Sequence, residues 1–279
     1  MSGAPESADA AARAARRREL RVRAISGVAM AALSAVPLWL GGSAAAAFLA
    51  LVAAAAGWEW RRLTAPGVRD APVFAGLFAA GVVVSHVAGV LAAAVVLAAA
   101  GAAAAAYDAR AGREARWGPL GLMTMGFAAA VFLALRADPG FGLMVVVWIA
   151  VVVVATDVGA FFAGRLIGGP KLWPAVSPKK TWAGLGGGVS LAFLCGSLFS
   201  WATTGTYFQQ VGAVSAAAAL VAQGGDLAES AIKRRFGVKD SSGLIPGHGG
   251  VLDRLDGFCA ATLVAGLVTF ARAQPVFIW

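Results

Sequence analysis

Apolar residues fill most of this chain in long runs that short polar segments separate. A helix that crosses a bilayer needs roughly 20 apolar residues, within a range of about 17–25. Glycines at 41, 42 and 89 divide two nearly fused pairs of runs, at positions where glycine favours a turn. The pattern predicts nine membrane-spanning helices, over approximately residues 24–42, 43–58, 72–88, 89–106, 118–135, 141–162, 183–203, 207–224 and 257–273.

The composition excludes most soluble classes of protein. Of the 279 residues, 59% are hydrophobic and only 13% are charged, whereas soluble domains carry about 25% charged residues. Mean hydropathy is +0.77. These values exclude a disordered chain, a disulfide-rich secreted scaffold and an ordinary cytosolic enzyme. We therefore predict an all-α integral membrane protein, in which Cys195 and Cys259 are small residues within apolar helices.

The positions of the cations predict how the helices are oriented. Of the 23 lysines and arginines, all but Arg136 and Arg272 lie in the N-terminal tail or in segments that follow the second, fourth, sixth and eighth runs. Loops rich in Lys and Arg stay in the cytoplasm, so the N-terminus is predicted to be cytoplasmic and Trp279 to lie on the opposite face. This arrangement accounts for the formal net charge of +9, and no nucleic-acid partner is expected.

Three regions follow from this reading: a basic cytoplasmic tail over 1–23, N-terminal membrane helices over 24–140 and a catalytic membrane region over 141–279. The basic tail favours contact with anionic lipid. A cleaved signal peptide is the alternative. However, the apolar stretch continues to residue 58, which is longer than the apolar region of a signal peptide. The Ala- and Gly-rich helix faces favour close packing in lipid.

The stretch 223–257 concentrates polar side chains beside the membrane. If the eighth span continues as a helix through 224–236, four side chains share one face at spacings of three and four residues: Asp226, Glu229, Ser230 and Lys233. Asp253 and Asp256 share a face in the same way at the start of the ninth span. The intervening loop holds Gly247, Gly249 and Gly250, whose backbone N–H groups could approach phosphate oxygens. Carboxylates beside such a loop predict a site for Mg²⁺ and phosphates.

A second stretch, over 168–182, favours an anion. Lys179 and Lys180 stand with Ser177 and Thr181 just before a helix, and a helix N-terminus with lysines attracts negative charge. The alternative is that these lysines simply extend to the membrane edge.

Other ionisable residues are interpreted singly. Asp157 lies at the boundary of the sixth span, where a carboxylate is costly, and is a functional candidate. Glu59 is interpreted as an interfacial structural residue, and His86 as a partner in a helix–helix hydrogen bond. His248 is compatible with a general base, a phosphate donor or a structural loop residue. The remaining acids in tails and loops, which include Asp70, Asp108 and Glu114, are assigned no role.

The motifs resemble those of the phosphatidate cytidylyltransferases, also called CDP-diacylglycerol synthases. The longest match is Ser230-x-x-Lys233-Arg234-x4-Lys239-Asp240-x-Ser242-x-x-Ile245-Pro246-Gly247-His248-Gly249-Gly250-Val251-x-Asp253-Arg254-x-Asp256. The stretches that begin at Asp157 and Ser177 are similar to two further motifs, so the resemblance covers roughly 155–260. Ala183 stands where the family usually has Glu, and Val158 where a hydroxyl residue is common.

The resemblance implies transfer of a cytidylyl group from CTP to phosphatidate, with release of pyrophosphate, in a multi-pass bacterial inner membrane protein. It implies Mg²⁺ on Asp226, Asp253 and Asp256, together with a monovalent cation such as K⁺, and a possible homodimer. Lys233 and His248 join those aspartates as implied catalytic residues. The implied substrate-binding residues are Ser177, Lys179, Lys180, Thr181, Ser230, Arg234, Lys239, Gly249, Gly250 and Arg254. A CDP-alcohol phosphotransferase and an ion-coupled transporter remain the alternatives.

Overall fold

The computed structural model describes residue 21 and residues 25–279, so the basic tail predicted over 1–23 lies outside the described residues apart from Arg21. The described residues form nine helices, named here in chain order: α1 (Ile25–Leu40), α2 (Gly42–Thr64), α3 (Ala71–Ala88), α4 (Val90–Arg110), α5 (Trp117–Arg136), α6 (Gly142–Leu166), α7 (Trp182–Thr203), α8 (Phe208–Arg235) and α9 (Leu252–Arg272). Helices α2 to α9 are each long and apolar enough to cross a membrane. The prediction of an all-α membrane protein is confirmed.

Each predicted span corresponds to one helix, but within the described residues α1 is shorter than a membrane span, so eight of the nine predicted spans are long enough to cross a membrane. Elsewhere the main differences are at the polar ends. Helix α2 continues past residue 58 to Thr64, and α8 continues past residue 224 to Arg235. The predicted turns at Gly41 and Gly89 are present, because both glycines have positive φ angles, of 71° and 88°, between consecutive helices. The apolar pattern therefore located the spans. The ends of α2 and α8 extend beyond the apolar runs, and charged side chains there form ion pairs with other segments.

The segments between helices meet at two ends of the bundle, as the alternating cations predict. At one end, Arg61 of α2 contacts Asp108 of α4, and Arg235 of α8 contacts Glu114 in the α4–α5 segment. At the other end, Arg136 donates hydrogen bonds to the carbonyl oxygens of Leu38 and Trp39, which end α1. The cation-rich segments therefore share one end of the bundle; we call this the basic end.

Glycines allow α6 and α7 to pack closely, as the small-residue faces predict. A Cβ atom added at Gly187 would lie 2.2 Å from the Cβ of Ala163, and one added at Gly159 would lie 2.5 Å from the carbonyl oxygen of Gly187. Neither position has space for a side chain, so the backbones approach as small residues permit within lipid. This contact fixes α6 against α7 and so places the residues at their polar ends.

A short β-hairpin connects α6 to α7 and was not predicted from the sequence. Strands β1 (Lys171–Trp173) and β2 (Ser177–Thr181) pair antiparallel, with Lys171 opposite Thr181. Thr181 then begins α7 as its N-cap, because its Oγ1 accepts a hydrogen bond of 3.0 Å from the backbone N–H of Gly184. The prediction that this segment ends at a helix N-terminus is confirmed, but the lysines before it lie on a strand.

Four charged side chains form a network with a buried centre, which we call the arginine cluster: Arg61, Asp70, Asp108 and Arg113. Arg61 donates to both oxygens of Asp108 at 2.7 and 2.8 Å and to both oxygens of Asp70 at 2.6 and 2.8 Å. Arg113 donates to Asp108 at 2.8 Å. Arg61 and Asp108 are each only 1% exposed. The prediction that Asp108 is a loop acid without a role is therefore wrong, because this residue is buried near the end of α4 and pairs with two arginines.

Candidate active site

A polar cavity of about 280 Å³ opens at the basic end of the bundle, between α6, α8 and α9. Its lining includes five aspartates: one from α6, one from α8, one from the loop between α8 and α9, and two from the start of α9. We call this space the aspartate cavity. Lys233 and Arg254 are the cations among its lining residues. The lining acids are Asp157, Asp226, Asp240, Asp253 and Asp256.

Helix α8 supplies one wall through the face that the sequence predicts. The Oγ of Ser230 donates to Asp226 at 3.4 Å, and the Nζ of Lys233 lies 2.9 Å from Glu229. These pairs are four residues apart, so the predicted helical face is confirmed. Glu229 is 2% exposed and finds its cation on its own helix, whereas Asp226 opens into the cavity.

The start of α9 supplies the opposite wall and confirms the predicted position of Asp253 and Asp256 on its first turns. Asp253 is heavily engaged, because it accepts from the Nζ of Lys233 at 2.7 Å and from the backbone N–H groups of Ser241 and Gly250 at 3.0 and 2.8 Å. Asp256 accepts from the backbone N–H of Gly257. The two carboxylates are neighbours with different surroundings: Asp253 ties the loop to α9, and Asp256 has more free oxygen capacity.

The hairpin distinguishes the two adjacent lysines. Successive side chains on a strand point to opposite faces, and only Lys180 reaches the cavity wall, with its Nζ 2.6 Å from Asp226 and 3.4 Å from the carbonyl oxygen of Gln223. Lys179 is exposed. Ser177 pairs with Trp173 within the hairpin. The structure therefore places one member of the predicted pair at the site and leaves the other facing outward.

The loop between α8 and α9 is held in one shape by a tight turn and by glycines. The N–H of Ile245 donates to the carbonyl oxygen of Gly249 at 2.8 Å, and Gly249 has a φ of 81°. A Cβ atom on Gly250 would lie 1.9 Å from the Oγ of Ser241 and 2.7 Å from the Oε2 of Glu59. Because its N–H is also bonded to Asp253, Gly250 serves the packing of this loop.

Glu59 of α2 holds the same loop from beneath. Its two oxygens accept from the backbone N–H groups of Val251 and Leu252 at 3.0 and 2.7 Å, and from the hydroxyls of Ser241 and Ser242. The side chain is fully buried. The prediction of a structural role is supported, but the predicted interfacial position is wrong, because four donors of the loop enclose this carboxylate. Its charge also lies at the N-terminus of α9, where the helix dipole favours an anion.

Several predicted site residues lie away from the cavity lining. The Nδ1 of His248 is 2.9 Å from the Oγ of Ser26 on α1, so this histidine connects the loop to the first helix. Arg234 donates to the carbonyl oxygen of Val238 at 3.1 Å, and both Arg234 and Lys239 are exposed. His86 lies 3.2 Å from Ser43, which confirms the predicted helix–helix hydrogen bond.

Charges near the rim are balanced by close pairs. Glu114 contacts Arg235 at 2.7 Å and Arg116 at 2.6 Å. The hydrogen bond from Arg235, assisted by Arg116, lowers the pKa of the Glu114 carboxyl below its ordinary value. This acid therefore remains ionised and joins the α4–α5 segment to the end of α8.

The donor set of the aspartate cavity suits a hard divalent cation in kind, because such ions prefer carboxylate oxygens. Five aspartates outnumber the cations that face them. Within the described residues, however, no three His, Cys, Asp or Glu side chains are grouped as a ready-made metal site. Mg²⁺ usually binds one or two carboxylates together with substrate phosphates and water, so these aspartates fit that ion without a closed three-ligand cluster. The ammonium group of Lys180 lies 2.6 Å from Asp226, where positive charge is favoured.

Sequence reasoning identified most of the charged side chains that line the cavity but missed the lining residue Gln223 and the supporting residue Glu59. Asp157 was singled out as a boundary carboxylate, and it lines the cavity. Glu59 and Gln223 were not assigned to the site. The available signal for Glu59 was a carboxylate placed before two arginines at a span end, which is equally typical of membrane anchoring, so only the contacts with the distant loop reveal its role.

An all-helical membrane bundle with an acidic, lysine-bearing cavity at its basic end defines an integral membrane protein with a polar site beside the lipid. Residues 21–271 match the model of the Cytidylyltransferase family, and the chain belongs to that family. A phosphatidate cytidylyltransferase of Brucella suis biovar 1 (strain 1330) is 36% identical over 261 residues, which cover 92% of this chain and 95% of that protein.

Two further relatives match over shorter segments, of half of this chain or less. A phosphatidate cytidylyltransferase of Helicobacter pylori (strain ATCC 700392 / 26695) is 49% identical over 116 residues, or 42% of this chain and 43% of that protein. One of Bacillus subtilis (strain 168) is 37% identical over 140 residues, or 50% and 52%. The resemblance that the motifs indicate is confirmed.

Proposed function

We propose that this protein catalyses the reaction of CTP with phosphatidate to give CDP-diacylglycerol and pyrophosphate. The observation that carries the proposal is similarity over 92% of the chain to a phosphatidate cytidylyltransferase. The aspartate cavity supports it, because it lies at the end of apolar helices, where a lipid phosphate and a water-soluble nucleotide can meet.

In the proposed reaction, an oxygen of the phosphatidate phosphate attacks the α-phosphorus of CTP. The bond from that phosphorus to the oxygen bridging it to the β-phosphate breaks, and pyrophosphate leaves. The attacking phosphate is already ionised, so no strong general base is required, and the main barrier is repulsion between two anions. The protein must therefore position the groups and neutralise their charge.

Lys180, Lys233 and Arg254 are the cations best placed for this task. Lys180 and Lys233 are held by carboxylates, at 2.6 Å from Asp226 and 2.7 Å from Asp253. A bound phosphate would compete with those carboxylates for the ammonium groups, since both are anionic acceptors of charge-assisted hydrogen bonds. Lys179, Arg234 and Lys239 would act at the exposed rim, where they attract CTP.

We propose Asp226, Asp253 and Asp256 as the residues that hold Mg²⁺, with Asp157 on the adjoining wall. When bound, the metal would offset phosphate charge and stabilise the leaving pyrophosphate. The requirement for a monovalent cation and the assembly of a homodimer stay predictions from the family resemblance. We also propose that the basic end faces the cytoplasm of a bacterial inner membrane, because its segments carry most of the cations.

The decisive test supplies the purified protein with CTP labelled at the α-phosphate. We expect lipid-dependent formation of labelled CDP-diacylglycerol with one pyrophosphate per product. A CDP-alcohol phosphotransferase would instead release CMP from a CDP-lipid, and a transporter would leave CTP unchanged. The orientation is tested separately with reporter fusions at Trp279, and a cytoplasmic signal there would contradict the nine-span topology.

A further inference from the structure

An apolar groove of about 480 Å³ lies beside the aspartate cavity, between α1, α2, α5 and α9. Its walls are formed mainly by aliphatic, aromatic and sulfur-containing side chains, among them Met30, Phe48, Met125, Phe132 and Leu255. Its volume lies within the roughly 300–1,000 Å³ of typical ligand sites. The mechanism described above gives this groove no role.

Two residues belong to both spaces. Arg254 and Phe258 line the apolar groove and also line the aspartate cavity. Arg254 is exposed on the first turn of α9, so a fixed positive charge stands where the apolar space meets the carboxylates. The two spaces therefore adjoin along α9, with an apolar space on one side, a cation at the boundary and an acidic space on the other.

The walls of this groove are not simply the outer surface of the bundle. Ala53, Ala56 and Ala128 line it, yet each is at most 3% exposed. The space results from small side chains on α2 and α5, where larger residues would fill the contact with α9. Met30 and Met125 offer flexible side chains, which adapt to ligands of irregular shape.

We propose that the apolar groove binds the acyl chains of the lipid substrate and that Arg254 holds its phosphate at the junction. The inference rests on the proposed function, since it takes phosphatidate as the substrate. Phosphatidate carries its phosphate on a glycerol that also bears two acyl chains, so a cation beside an apolar groove matches the order of its parts. The groove thereby determines acyl-chain preference and gives the lipid a path from the bilayer to the aspartate cavity.

Filling the groove tests its role in catalysis. Ala129→Phe places a ring in the groove from α5, and Ala98→Phe adds the same ring to an exposed position on α4 as the matched control. For Ala129→Phe, we expect the KM for long-chain phosphatidate to rise roughly tenfold, since apolar burial is lost. The KM for CTP and the activity with dihexanoyl phosphatidate should change much less. Equal effects on both lipids, or none, would overturn the proposal.

A labelling experiment on the unaltered protein does not depend on the folding of a variant. Phosphatidate with a photoactivatable diazirine in one acyl chain is irradiated with the protein in phosphatidylcholine vesicles. We expect crosslinks on the groove-lining segments of α1 and α5, which excess unlabelled phosphatidate abolishes and phosphatidylcholine does not. Crosslinks that phosphatidate fails to reduce would show bulk lipid in the groove and overturn the inference.

The outcomes separate the groove from the proposed reaction. Product formed from CTP and phosphatidate together with uncompeted labelling would overturn the groove alone. Competed labelling without any product from CTP would support a phosphatidate site and overturn the proposed reaction.

Discussion

The arginine cluster and the aspartate cavity use the same kinds of side chain at the same end of the bundle, with opposite results. In the arginine cluster, both oxygens of Asp108 and both oxygens of Asp70 accept from Arg61. In the aspartate cavity, five aspartates share a space with fewer cations, and Asp256 contacts only a backbone N–H among the hydrogen bonds of the described residues. In the arginine cluster each carboxylate is paired with an arginine, whereas the aspartate cavity retains capacity to bind.

The difference teaches that a buried acid is not in itself evidence of function. Asp108 is more buried than the cavity aspartates, yet two arginines neutralise it. The cavity aspartates repel one another, and a divalent cation or a rearranged lysine relieves that repulsion. The unbalanced group is therefore the better candidate for ligand binding, and the balanced group for stability.

The largest expected effect is a loss of stability in the Asp108→Asn variant of the arginine cluster. The substitution removes the carboxylate shared by Arg61 and Arg113 and leaves Arg61 paired with Asp70 alone, so the cost should approach the lower end of the range of about 3–5 kcal/mol for breaking a buried ion pair from one side. We expect a large drop in thermal stability in detergent, with near-normal kcat in the fraction that folds. Asp70→Asn is the milder control, because Asp70 is 15% exposed. Normal stability with lost activity would place the arginine cluster in the site instead.

In contrast to Asp108→Asn, the cavity variants Asp226→Asn and Asp256→Asn should lose activity and keep stability. Each removes one charge from an acidic cavity, so stability should be kept, while Mg²⁺-dependent activity falls about 10²–10³-fold. Combining them with Asp253→Asn should be far from additive, because groups that act as a unit fail together. Steady-state rates across a Mg²⁺ titration provide the measurement.

The matched control for these two variants is Glu114→Gln, an exposed acid at the same end of the bundle. If Asp256→Asn keeps normal rates and normal Mg²⁺ dependence, Asp157 becomes the better metal candidate.

Glu59→Gln tests whether a residue outside the cavity positions its loop. Gln can accept at one atom only, so donors among Val251, Leu252 and the two serines lose their partner, at about 1–3 kcal/mol for each buried group left unsatisfied. We expect lower kcat and faster proteolysis within 236–251, with both restored in part by saturating CTP. Glu59→Asp, which keeps the charge, should rescue activity more than Gln does. Equal activity in all three proteins would contradict a positioning role.

The smallest expected effect is a difference in substrate KM between substitutions of the adjacent lysines Lys179 and Lys180. Lys180→Gln should weaken CTP or phosphatidate use by about tenfold to a hundredfold, since one charge-assisted contact is worth about 1.5–3 kcal/mol. Lys179→Gln is the matched control and should change KM only slightly, because that side chain is exposed. Initial rates over a range of both substrates distinguish them. Equal effects of the two substitutions would contradict the conclusion that the hairpin directs only Lys180 to the cavity.

The sequence by itself determined the membrane class, the nine helices and the separation of cations between two ends. Each of these three depends on local composition or on alternation along the chain, and none requires knowledge of which helices touch. It also determined the faces of α8 and α9, because helical spacing alone aligns Asp226 with Ser230 and Asp253 with Asp256. The long motif over 230–256 indicated the family without any structure.

Only the tertiary structure decided which charges were balanced. The partners of Asp108, Glu59 and Asp253 lie 47, 192 and 20 residues away in the chain, and no local pattern specifies such contacts. The hairpin that separates Lys179 from Lys180 depends on pairing with β1, and the junction at Arg254 depends on α1 and α5 packing beside α9. Whether a charged side chain binds, supports or stabilises is set by what the fold places against it.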